Sequence, residues 1–159
     1  MVYQGNRITV TMLEDGIANM QYNAENESVN KFDAETNKQF GEAVSALEST
    51  ANVQGSTVTS GKGAFIAGSD LTEFVASFKQ AEGSIKDWVI SINNDINRFE
   101  DLPFPKVAAI NGAALGGGSE MTLTCEYRVM SDKAIIGLPE TQLGIFPGFG
   151  GTVRSSRVS

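Results

Sequence analysis

The sequence contains no histidine at all. A Ser-His-Asp or Cys-His nucleophile system therefore cannot be assembled from it, and the usual His-containing zinc sites are excluded on the same ground. Its single cysteine, Cys125, is too little for a thiolate metal site or an intrachain disulfide and suits a reducing compartment. No metal site is expected. Proton transfer, where the chemistry needs it, falls mainly to carboxylates, a lysine or a tyrosine. Basic residues are also scarce: 12 Lys and Arg stand against 19 Asp and Glu, a net charge of −7. That balance argues against a general affinity for nucleic acid, which needs a basic footprint. A polyphosphate ligand would need its own local basic patch. No apolar run approaches the roughly 18 residues of a membrane span. The opening Met1-Val-Tyr-Gln-Gly lacks the basic-then-apolar order of a signal peptide. The expectation is a soluble cytoplasmic protein.

What is present is a globular composition, 41% apolar and 19% charged over 159 residues. That is the size of one ordinary domain, and a chain this long buries roughly 70% of its unfolded surface. Ile8–Leu13 and Ile17–Tyr22 read as short strands around a hairpin turn at Glu14-Asp15-Gly16. Asp33 is placed to cap a helix to about Thr50, with Phe40, Val44 and Leu47 on one face. Thr57–Ser60 reads as a buried strand, and Ala64–Asp70 as an apolar stretch broken by Gly68. A second helix carries Trp88, Ile92, Ile96 and Phe99 in a stripe and ends by Pro103 and Pro105. Val107–Asn111 reads as a strand and Gly112–Gly118 as a turn. A short helix over Ser119–Cys125 then precedes strands near Tyr127–Met130 and Ile135–Leu138. Alternating strands and helices predict an α/β architecture. Gly148–Arg154 reads as a loop entering a helix that the chain stops too soon to complete.

Three segments have chemical potential. Gly116-Gly117-Gly118-Ser119-Glu120 allows close approach to the backbone and, before a helix, presents unpaired N–H groups. Donors so placed are the physical requirement of an oxyanion hole, although a bare glycine triplet is more often a tight turn. Glu140 follows a proline among apolar residues, a setting that raises a carboxyl pKa as a general acid requires. Glu120, in a first helical turn, is expected to stay ionised. Ala64–Asp70 offers a second backbone donor at the Gly68-Ser69 turn. There is no Gly-x-x-x-x-Gly-Lys-Ser/Thr phosphate loop, and Gly148-Phe-Gly-Gly does not fit Gly-x-Gly-x-x-Gly.

In this order, Ala64–Phe74, Val107–Glu120 and Ile136–Arg154 resemble the crotonase (enoyl-CoA hydratase/isomerase) superfamily. Tyr3-Gln-Gly, Ser28–Phe32 and Glu100–Pro103 look more like one branch of it, the N-terminal part of bacterial fatty-acid-oxidation α subunits. The resemblance implies a crotonase-like ββα spiral core over 1–159, a single enoyl-CoA hydratase/isomerase-like domain truncated before the family's C-terminal helices. It implies that the N–H groups of Ser69 and Gly117 hold a thioester carbonyl. Glu120 would help activate water and Glu140 would deliver a proton to the α-carbon. Ala64, Ala67, Gly68, Asp70, Gly116, Pro139 and Gly148 would contact substrate, with Lys31 and Lys62 meeting the CoA phosphates. No permanently bound cofactor is implied, since the coenzyme A thioester is the substrate. A homo-oligomer, or membership of a multienzyme complex in a full-length relative, is the implied assembly. Ser69 stands where alanine is usual, and Ser155-Ser156 depart from the expected Leu-Pro continuation. The truncated tail gives a second expectation, a non-catalytic fragment that folds or self-associates and at most binds acyl-CoA.

Overall fold

The computed structural model describes residues 1–73 and 82–158. Phe74, the last residue of the first motif, lies outside the described residues. Strands β1 (Tyr3–Gln4), β2 (Ile8–Met12) and β3 (Ile17–Tyr22) form an antiparallel meander. Helix α1 (Ala34–Glu48) leads to β4 (Gly55–Ser60), which pairs with β3 in parallel, Ile17 opposite Gly55 through Tyr22 opposite Ser60. Helix α2 (Glu82–Glu100) precedes β5 (Lys106–Ile110), again parallel to β4. From there the chain runs through β6 (Ala113–Leu115), α3 (Gly117–Leu123), β7 (Tyr127–Met130) and β8 (Ile135–Gly137), ending in α4 (Gly151–Val158). The main sheet has the order β1-β2-β3-β4-β5-β7, and β6 pairs with β8 in a separate parallel ribbon.

The local causes are plain. Period-2 burial in β2, β3 and β5 turns Ile8, Val10, Ala18, Met20, Tyr22, Ala108 and Ile110 inward. The 3.6-residue stripes Phe40–Val44–Leu47 of α1 and Ile92–Ile96–Phe99 of α2 join them in one core. Asp33 caps α1 as expected: its Oδ1 accepts a hydrogen bond from Thr36 N at 2.7 Å. The described part of α2 is amphipathic, and no described helix is long and apolar enough to cross a membrane.

The hairpin expected at Glu14–Gly16 does join β2 to β3, and its turn is a 3-10 turn with Asp15 at φ 57°. Several expectations need correction. Gly112–Gly118 is no simple turn: it holds β6, and α3 starts at Gly117 rather than Ser119. The reason is packing. A Cβ on Gly118 would lie 2.9 Å from both the carbonyl carbon and the Cβ of Ile66, so only glycine lets the helix begin against that segment. Tertiary contact outweighs the roughly 1 kcal/mol that glycine costs a helix. The last helix does form, two turns long over Gly151–Val158. Lys106 is fully buried and ion-paired to Glu126 at 3.1 Å, a feature that periodicity alone does not reveal.

Candidate active site

The first wall of the site is the segment after β4. Asn30 holds it from beneath: its buried amide nitrogen donates to Phe65 O at 3.1 Å and Tyr22 O at 3.0 Å. The Asn30 carbonyl accepts from Ala67 N at 2.8 Å. Phe32 N donates to Gly68 O, and Asp70 N donates to Phe32 O. These bonds bracket Ser69, whose own N–H has no acceptor among the described residues. Leu115 N donates to Ile66 O at 3.1 Å, which ties this wall to β6.

The second wall is the start of α3. Gly116, with φ 52° and ψ −123°, makes the sharp entry that a side chain would oppose. Gly117 is the first helical residue, so its N–H has no intrahelical acceptor. Ser119 Oγ sits 2.7 Å from Ala114 O and accepts from Gly137 N at 2.9 Å, fixing the turn to β6 and β8. Two cavities meet here. One, of about 150 Å³, is lined by Ala67, Gly68, Ser69, Gly116, Gly117 and Pro139 among others. The other, of about 410 Å³ and largely apolar, is walled by Trp88, Val89, Ile145, Phe146 and Phe149. Ser69, Gly117 and Glu140 line both.

Glu120 faces the larger cavity and is 1% exposed. Its Oε1 accepts from Phe149 N at 2.8 Å and from Gly151 N at 2.7 Å. Its Oε2 takes no hydrogen bond among the described residues. Burial pushes its pKa up; the N–H groups of Gly151 and Phe149 and the Arg154 charge oppose this, while the Glu140 charge adds to it. The helix N-terminus, expected to favour the charged form of Glu120, is thus outweighed by desolvation, which raises the pKa. Glu140 lies in a 3-10 turn, Pro139–Leu143, and is buried with Oε2 lacking a hydrogen-bond partner among the described residues. Glu140 lines both cavities, and an unpartnered buried oxygen is an acceptor with capacity to spare. Two carboxyl groups near enough to feel each other's charge, beside two free backbone donors, can move protons about a polarised carbonyl compound.

The remaining sequence candidates divide. Ala67, Gly68, Gly116 and Pro139 line the smaller cavity and Gly148 the larger. Ala64, Lys31, Lys62 and Asp70 line neither. Lys31 and Asp70 instead pair with each other at 2.7 Å, and Lys31 also lies 3.6 Å from Glu27. That pair holds the Asp70 carboxyl well below the usual range, so neither charge is spare. The Ala64 carbonyl accepts from Ser60 Oγ at 2.7 Å. Lys62 has no ion-pair partner among the described residues and remains a cation at the edge of this wall. Sequence reasoning missed Asn30, Asn93 and Arg154. Asn93 Nδ2 donates to Gly148 O at 2.9 Å. Its signal was available: Asn93 and Asn97 of α2 are four residues apart, a polar row beside the apolar stripe.

The enoyl-CoA hydratase/isomerase family profile matches residues 13–158. The fatty acid oxidation complex subunit alpha of Psychrobacter arcticus is 84% identical over 158 residues, which are 99% of this chain and 22% of that protein. The Acinetobacter baylyi protein of the same name is 55% identical over the same span. The chain thus spans about a fifth of the length of these relatives. Among solved structures, the Geobacillus kaustophilus enoyl-CoA hydratase superposes with TM-score 0.86 at 29% identity, covering 98% of this chain and 57% of that one. The Bacillus anthracis enoyl-CoA hydratase gives 0.83 at 31%, covering 95% and 57%. The architecture is the α/β crotonase fold.

Proposed function

Because this chain belongs to the enoyl-CoA hydratase/isomerase family, we propose that its site adds water across the double bond of a trans-2-enoyl-CoA, giving a 3-hydroxyacyl-CoA in fatty-acid oxidation. The observation that carries the reading is the convergence of Ser69 N–H, Gly117 N–H and the two carboxyls of Glu120 and Glu140 on adjoining cavities. The thioester oxygen accepts from both N–H groups, which draws electrons from the conjugated double bond and makes the β-carbon electrophilic. Water lies between the glutamates. Glu120 Oε2 takes a proton from it as oxygen bonds to the β-carbon. The electron pair moves to the thioester oxygen, where the two donors stabilise the enolate; one such donor is typically worth about 2.7–4 kcal/mol. Glu140 then gives a proton to the α-carbon. The carboxyl pair loses one proton and gains one, so only water is consumed.

The apolar larger cavity takes the acyl chain, and the backbone around Ala67 and Gly68 takes the start of the CoA moiety. Glu140 alone, moving a proton between the α- and γ-carbons, would give the 3-enoyl to 2-enoyl isomerisation. The enzyme acts on acyl-CoA without a resident cofactor, in the cytoplasm, as a homo-oligomer or within a multienzyme complex.

The test follows loss of the conjugated enoyl-thioester absorbance with a short 2-enoyl-CoA across pH. The expected rate falls as pH drops through the raised Glu120 value, because the base must be ionised to accept water's proton. Stoichiometric thioester binding with no hydration at any pH overturns the reading. So does a rate that holds down to the ordinary glutamate value of 4.5.

A further inference from the structure

Helix α2 presents Asn93, Asn97 and Glu100 toward the segment that holds Glu120. Asn93 binds Gly148 O, while Asn97 and Glu100 bind Arg154 of α4. The Arg154 guanidinium is almost fully buried and all three of its nitrogens are used. Nε and Nη2 donate to Glu100 Oε2 at 2.8 and 2.6 Å, and Nη2 donates to Asn97 Oδ1 at 2.7 Å. Nη1 donates to Phe149 O at 2.9 Å. Phe149 and Gly151 supply the two N–H groups on Glu120 Oε1. The guanidinium plane thus fixes one end of the turn whose other face fixes the carboxylate. Gly150 leaves room for it, since a Cβ there would lie 3.2 Å from Arg154 Cζ.

We propose that Arg154, oriented by Asn97 and Glu100, is a positioning residue that aims Glu120 through the Phe149–Gly151 backbone. It does not touch substrate. It leaves Oε1 doubly held and Oε2 as the oxygen turned to the cavity, so the base acts from one fixed rotamer. Among the described residues it also supplies the one cation acting on Glu120, opposite the Glu140 charge from the 3-10 turn; Glu100 of α2 partly neutralises it. A lysine cannot replace the fork, because a point cation cannot bond Phe149 O, Asn97 and Glu100 in one plane.

This rests on the reading of Glu120 as the base, and the test separates the two. The Glu120 carboxyl is titrated by carbon-13 NMR in wild type, Arg154→Met and Arg154→Lys, beside kcat and KM for a short 2-enoyl-CoA. Arg154→Met is expected to move the Glu120 titration and the acid limb of kcat upward by about one unit. Arg154→Lys should return the titration toward wild type yet keep kcat down by roughly tenfold to a hundredfold. KM should stay within about twofold in both, since neither alters a cavity wall. Folded variants with an unchanged titration and an unchanged kcat profile overturn the proposal. If Arg154→Met fails to fold, Glu100→Gln decides: it keeps the guanidinium charge but loosens its hold. A lower kcat at constant KM supports the proposal, and an unchanged kcat overturns it. An inactive wild type would sink hydration while leaving the titration to judge the positioning role.

Discussion

Glu140→Gln and Glu120→Gln are each expected to lower kcat for hydration of a short 2-enoyl-CoA by about 10²–10⁴-fold. Glutamine keeps the volume and the acceptor oxygen, so the loss reads proton transfer and not shape. At position 120 the amide oxygen can still accept from Phe149 N and Gly151 N, but it cannot take a proton from water. At position 140 the amide cannot deliver one to carbon. Both variants should keep KM within a few-fold, the pattern of an interaction made mainly in the transition state. Both should fold, since an uncharged amide is easier to bury than a carboxylate. The double variant should cost less than the sum, because the two groups serve one water. Steady-state kinetics with purified 3-hydroxy product as standard checks all three.

Gly118→Ala should be the most damaging conservative change in the site. Its methyl would meet Ile66 backbone, which is itself fixed by Leu115 N donating to Ile66 O. A clash with backbone cannot be relieved by a rotamer change. Overpacking of this kind costs about 1–3 kcal/mol, which for a chain of this size lowers Tm by about 2–12 °C. Function should suffer more than stability. The first turn of α3 must back away from the 64–68 segment, which separates the Gly117 donor from the Ser69 donor. A misplacement near 1 Å is enough to lose about a hundredfold in rate. Gly148→Ala is the control. A Cβ there meets nothing within 4 Å among the described residues, and Tm should move by no more than a degree or two. Thermal melts on the pair separate crowding from a general intolerance of alanine in glycine-rich loops.

These two sites show where local pattern suffices and where it fails. Asp33 as a cap and the Phe40–Val44–Leu47 face were legible because a helix end and a helix stripe are short-range properties. The strands around Glu14–Gly16 were legible for the same reason, although the turn type was not. The motif order placed Glu120, Glu140, Ser69 and Gly117 together, and the fold brings all four to adjoining cavities. What escaped depends on distant partners. Three-residue β6 is a strand because Ile135–Gly137 pairs with it on one side and Ile66 bridges it on the other. Lys31 was expected to meet the CoA phosphates and Asp70 to contact substrate, yet the two pair with each other. Glu120 was assigned by its helix position, but the chain that buries it, Phe149 to Arg154, arrives about thirty residues later. Arg154 itself gave no signal until α2 and α4 were seen to share it.

The proposed thioester site has one carbonyl oxygen accepting from both Ser69 N–H and Gly117 N–H. It is tested most directly by the infrared difference spectrum of a bound 2-enoyl-CoA carrying carbon-13 at the thioester carbonyl. Two fixed donors in a water-poor site should polarise the bond more than water does, so the labelled carbonyl band is predicted below its frequency in solution. A saturated complex whose band stays at or above that frequency would contradict the account, whatever the rate of hydration.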